Sequence, residues 1–222
     1  MGEAELLPAK GILVIHAELI FYGDAANEEL GKQVARDVED HWNKPAGIML
    51  LRKNWFSWKK YRVLFDIKGS YDKILTPETV FSNTNPRINY FRIEEYATGN
   101  ISFVDGLNSN TGYFKLDNLL NNSSTAAHEF GHTLGLDHPP VLDIRGKGTP
   151  GIMYPRGTLV DPSFQYDPNA VAGQAGGTMN PYTRKVLQSD IDDLQLRKLG
   201  FNEKGFATIG GFTSVWHEKH IP

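Results

Sequence analysis

Residues 128 to 138 read His-Glu-Phe-Gly-His-Thr-Leu-Gly-Leu-Asp-His. This run constrains the fold more than any other, because its three histidines can meet only if a helix carries the first two and then stops abruptly. His128 and His132 stand four residues apart and so project from one helical face, one turn above the other. Gly135 follows where a residue tolerating positive φ can end the helix and turn the chain, returning His138 to the same point. Three imidazoles gathered in this way suit one Zn2+ ion, with the fourth tetrahedral position left for water. Glu129 projects about 100° around the helix from His128, beside the ion and free to act as a base. The five fixed positions should co-occur by chance in far fewer than about one in 10,000 chains of this length, so a coincidental helix with solvated or core histidines is a poor account of them.

The extended motif resembles that of the metzincin clan of zinc endopeptidases, and its HEFGHTLGLDH wording is most similar to matrixins. Gly151-Ile152-Met153-Tyr154-Pro155, thirteen to seventeen residues beyond His138, looks like the Met-turn of that clan. By that resemblance Met153 forms the floor beneath the histidines. Without it, a methionine is ordinary core filler. The stretch Leu187 to Leu196 is similar to the start of the C-terminal helix of matrixin catalytic domains. Ser189 is expected as its N-cap and Asp192 at N3, with Asp190, Asp192 and Asp193 complementing the helix dipole. These acids are expected to be structural, with support of the metal site as the alternative.

The resemblance implies an α+β fold: a twisted, mostly parallel sheet with an antiparallel edge strand, packed on two helices, an active-site cleft, and a loop-rich lower part with a C-terminal helix. Residues 1–222 would form one catalytic domain, 1–138 being the upper subdomain and 139–222 the lower. The implied activity is peptide-bond hydrolysis by metal-activated water, with His128, His132 and His138 as ligands and Glu129 as general base. The segment after Pro155 would wall the pocket for the substrate side chain that follows the cleaved bond, so Tyr154 and Pro155 are expected substrate contacts. Gly112, Tyr113 and Phe114, in a strand spanning 112–116, are expected at the sheet edge, where an extended peptide can pair through its main chain.

Three departures from the matrixin pattern limit what carries over. No histidine lies between His41 and His128, so the second, structural zinc of many matrixins is expected to be missing and one catalytic ion is expected. Pro155 stands where astacin-like and serralysin-like relatives place a tyrosine ligand, so Tyr154 is expected to be packed rather than metal-bound. The chain has no cysteine, which rules out a thiolate latch over the metal. Calcium is left open, with no feature indicating it.

Composition fits one compact domain of 222 residues, 40% hydrophobic, long enough for a sizeable core. A net charge of −3 argues against a general nucleic-acid binder, leaving proteins or peptides as expected partners. Residues 11–22 are apolar, but Glu3 and Glu5 precede them and His16 and Glu18 interrupt them, unlike a signal sequence. Leu13, Ile15, Ala17, Leu19 and Phe21 alternate as in a strand, which puts His16 and Glu18 at the surface. No run reaches the roughly 18 apolar residues needed to span a bilayer. The zero cysteine count leaves the compartment open; a secreted or extracellular location is the expectation that goes with the resemblance.

Residues 24–43 change to helical period, with Leu30, Val34, Val38 and Trp42 at four-residue steps and Asp24 as the expected cap. Strands are expected at 47–51, 61–68, 88–93 and 101–104, and Ser123 and Ser124 can cap the metal helix. The run from Arg52 to Arg62 holds five cations and four aromatics with no acid, and is expected to be a solvated hairpin with partly packed rings. Residues 139–185 are rich in Gly and Pro, a long loop region of the sort that often carries function. His217 and His220 are expected in a solvated tail. Two other readings stay open: a zinc-binding interaction module without turnover, and a metalloprotease toxin or effector domain restrained by an inhibitor or immunity protein.

Overall fold

The computed structural model describes residues 1–54, 56–121 and 123–221, with the backbone alone at residues 53 and 54. The chain opens with an antiparallel pair, β1 (Gly2–Leu7) and β2 (Ile12–Tyr22). Leu13, Ile15, Ala17, Leu19 and Phe21 of β2 are all buried, as the alternation predicts. The helix α1 (Glu28–Asn43) follows, and its four-residue stripe of Val34, Val38 and Trp42 is buried. Its cap is Asn27, whose Oδ1 accepts the Leu30 N–H at 2.9 Å, rather than Asp24, which instead pairs with Lys219 at 2.5 Å. Asn satisfies an N-cap as well as Asp does, and sequence alone could not rank the two.

The hairpin β3 (Ile48–Asn54) and β4 (Ser57–Tyr71) comes next. Tyr61, Val63, Phe65 and Ile67 form the buried face of β4, whereas Phe56 and Trp58 near the hairpin tip are exposed. Trp55, part of the cation and aromatic run, lies outside the described residues. A short α2 (Pro77–Phe81) leads to β5 (Ile88–Glu94), β6 (Phe103–Val104) and β7 (Thr111–Lys115), and then to the motif helix α3 (Thr125–Thr133). After a long irregular stretch come α4 (Gln188–Asp193) and β8 (Phe206–Ile209).

The sheet runs β3-β4-β2-β5-β7-β6, and its spine β4-β2-β5-β7 is parallel. Antiparallel strands close both margins, β3 on one side and β6 on the other. The far edge of β2 is shared end to end: β1 pairs with its first half and β5 with its second. The main core lies between one face of this sheet and the two helices α1 and α3. Trp42 joins them, its Nε1 donating to the Ala127 carbonyl at 3.0 Å while its ring packs on Phe65 and Phe130.

Four more expectations need correction. The strand containing Gly112, Tyr113 and Phe114 is not the edge: β7 is paired on both sides and these residues are buried, and the edge is β6. A two-residue strand is too short to register as alternation, so sequence pattern favoured its longer neighbour. The two tail histidines are not free in solvent either. His217 Nε2 lies 2.9 Å from Asp105 Oδ2, and the His220 ring stacks on Tyr113 at 4.0 Å. Finally, the end of the chain does not stay with the loop-rich half, because β8 pairs with β1 and residues beyond it run over the outer face of the sheet. His16 is likewise half-buried, bracketed by Asp66 at 2.9 Å and Glu5 at 3.0 Å, since β1 brings an acid over it that the alternation of β2 alone does not place there.

Candidate metal centre and cleft

The geometry of the site starts with the way α3 ends. Leu134 N–H donates to the Phe130 and Gly131 carbonyls, and Gly135 then takes φ of 95°, the left-handed conformation expected of it. A side chain at Gly135 would also collide with Asn108. The turn carries the chain back so that His138 Nε2 lies 3.1 Å from His128 Nε2 and 3.1 Å from His132 Nε2. Nitrogens bound to one tetrahedral zinc at about 2.0–2.1 Å stand about 3.3 Å apart, so the set fits the ion. Among the described residues, these three histidines are the one group of three or more His, Cys, Asp or Glu side chains that could hold a metal.

Two of the remaining ring nitrogens are fixed by carbonyls. His128 Nδ1 lies 2.7 Å from the Ile152 carbonyl oxygen, and His132 Nδ1 lies 2.6 Å from that of Leu136. A carbonyl only accepts, so each Nδ1 carries the proton and each Nε2 offers a lone pair to the metal. Burial is the first cause lowering the pKa of all three imidazoles, which keeps them in the neutral, ligating form.

Glu129 is buried, and burial pushes its carboxyl up to about 8 against the opposing pull of Arg184, the Val104 N–H and Arg156. The Val104 contact ties this carboxyl to β6, the edge strand. A cleft lined by Ser102, Phe103, Val104, Glu129 and the three histidines runs alongside that edge.

Beneath the helix, Met153 is buried with its sulfur against Gly131, where any β-carbon would collide with it. The turn around Met153 is held from two sides. Ile152 accepts from His128, and its own N–H donates to Asp190, which also accepts the Leu187 N–H at 2.7 Å. Asp190 thus caps α4 and anchors the turn at once. The α4 cap is Leu187 with Asp190 at N3, displacing the expected Ser189 and Asp192 by two residues. Tyr154 packs with Ile144, Val160, Met179 and Phe164 in a satellite core that organises the loop region, so its ring turns away from the cleft. Pro155 lines a small pocket beside His128 and Glu129.

Arg184 escaped sequence reasoning altogether. It lies 46 residues beyond His138, in a stretch with no periodicity or motif. Yet it is only 4% exposed, donating from Nε to Ser124 Oγ at 3.1 Å and from Nη1 to the Tyr154 carbonyl at 3.0 Å. Nη1 also approaches His128 Nδ1 at 2.9 Å; since that nitrogen carries a proton, the contact is not a hydrogen bond. Ser123 and Ser124 divide their duties differently from expectation: Ser123 Oγ accepts the Thr125 N–H, while Ser124 Oγ donates to the Pro181 carbonyl.

No protein-family model matches the chain, and no curated protein matches it. Among solved structures, archaemetzincin from Methanopyrus kandleri is similar at 13% identity, covering 86% of this chain and 98% of that one, with a TM-score of 0.42.

Proposed function

We propose that this chain is a zinc-dependent endopeptidase of metzincin-like construction, with His128, His132 and His138 holding one ion and Glu129 acting as general base. The observation that carries the reading is the convergence of the three Nε2 atoms beside a buried carboxyl. When bound, zinc supplies a Lewis acid that polarises the scissile carbonyl and lowers the pKa of water to about 7. Beside a cation held by the three histidines, the Glu129 carboxyl is favoured in its ionised form, and it then takes the water's proton and delivers it to the leaving amine. The Val104 N–H orients that carboxylate, and the Ile152 and Leu136 carbonyls hold two of the ligand rings in register. A substrate chain would lie along β6, whose outer edge is unpaired among the described residues, and Pro155 would wall the pocket beyond the cleaved bond. Met153 would serve as the packed floor that keeps α3 from sinking.

Glu129→Gln is the test. The variant should retain about one zinc per chain by elemental analysis while losing at least about 1,000-fold of chelator-sensitive peptide cleavage. Undiminished turnover in that variant, or cleavage indifferent to chelator in the parent protein, would sink the reading.

A further inference from the structure

The pocket beside His128 and Glu129 encloses about 150 Å³ and is lined by Ile101, Ser102, Pro155, Arg156 and Arg184. Two guanidiniums face it. Arg156 is exposed and reaches Asn118 Oδ1 at 3.3 Å. Arg184 is buried and spends Nε and Nη1 on Ser124 and Tyr154, leaving Nη2 without a hydrogen bond among the described residues. No carboxylate pairs with Arg184 among those residues; Glu129 acts on it only through space. A buried cation without a paired anion is costly, and a fork with a spare donor fits a carboxylate oxygen better than any other common group.

From this we infer that the pocket selects substrates with an aspartate or glutamate immediately after the scissile bond, the side-chain carboxylate being received by Arg184 and, at the mouth, by Arg156. The inference rests on the proposed peptidase reading and adds the substrate class to it. An aliphatic side chain would leave Arg184 desolvated and unpaired, so the preference should be read against both the isosteric amide and leucine. A peptide's free C-terminal carboxylate offers the same chemistry, and amidated peptides separate the two sources.

The experiment uses amidated peptides differing only at that position, Asp, Asn, Glu, Gln, Leu or Lys, with kcat/KM measured on the zinc-loaded protein. The acid should exceed its own amide by about tenfold or more, and Lys should be the poorest. In parallel, amidated peptides beginning with Asp, Asn or Leu, which mimic the amine-side product, are titrated into the Glu129→Gln protein by calorimetry. Their affinities should fall in the same order. Arg184→Gln should collapse both ratios toward one. If it does not fold, Arg184→Lys, which lacks the spare fork nitrogen, should still reduce them, and Arg156→Gln should reduce them less. Equal cleavage or binding of acid and amide by the parent protein, or a ratio unchanged in the folded Arg184 variant, overturns the inference. If no peptide is cut at all the peptidase reading fails by itself, and the binding ratios still decide whether the pocket takes a carboxylate.

Discussion

At the scale of single residues, the site shows which kinds of side chain announce their role and which do not. His128, His132, His138, Glu129 and Gly135 were legible because their spacing has only one geometric use. Arg184 was not, because a lone arginine in an aperiodic loop carries no pattern; only the fold brings it to His128. Asp190 was half legible: its helix-capping duty was expected near the right place, but its bond to Ile152 depends on a loop 38 residues earlier returning under α4. That double duty has a pH signature. Burial raises the Asp190 carboxyl from 3.8 to about 6, so the folded chain holds its proton in a range where the unfolded chain has released it. Stability from this group is therefore full below about pH 4 and falls as pH rises to about 6, by up to about 3 kcal/mol. Asp190→Asn keeps an acceptor for the Leu187 N–H and removes the titration. The difference in urea-unfolding free energy between parent and variant should change across pH 4 to 6.5 and be flat above it; a constant difference across that range would show that Asp190 does not titrate as described.

At the scale of elements, periodicity succeeded where a segment is long and one-sided and failed where it is short. The alternation of β2 and β4 and the four-residue stripe of α1 survive in the structure because each buries a continuous face, which leaves little freedom of register. β6 has two residues and no such face, yet it is the edge strand along which the proposed function lays a substrate. β1 and β8 were invisible for a related reason: both are short and they stabilise each other across the length of the chain. The joint between α1 and α3 is where element packing meets chemistry, since α3 carries the ligands. Trp42→Phe would lose the Nε1 bond to Ala127 and leave space beside Phe130, which should cost about 1–3 kcal/mol. A shift of the urea midpoint with an unchanged slope is the expected result, and an unshifted midpoint would mean that α3 is seated without Trp42.

At the scale of the whole molecule, the chain is closed by its last residues. Asn110 Oδ1 accepts the N–H groups of Thr213 and Ser214, Trp216 stacks on Tyr22 with ring centroids 4.7 Å apart, and His217 pairs with Asp105. This strap covers the sheet on the face opposite α1 and α3, spanning from β2 across to β6. Among the described residues no hydrogen bond, ion pair or ring contact joins it to His128, His132 or His138, and it reaches the cleft only through the packing of His217 and His220 on Phe103, so it should act on stability and leave the metal centre alone. Deleting residues 212–222 uncovers Tyr22, Phe103 and Tyr113 and strips the buried Asn110 of both backbone donors. The loss should reach at least about 2 kcal/mol, which in a domain of this size lowers Tm by roughly 4–8 °C. Zinc content per chain should stay at the parent value, because the histidine convergence depends on α3, Gly135 and the turn at Ile152. Calorimetry and elemental analysis on the same preparation separate the outcomes: an unchanged Tm would mean the strap is not docked in solution, and a lost metal would mean that β6 and the ligand turn depend on it.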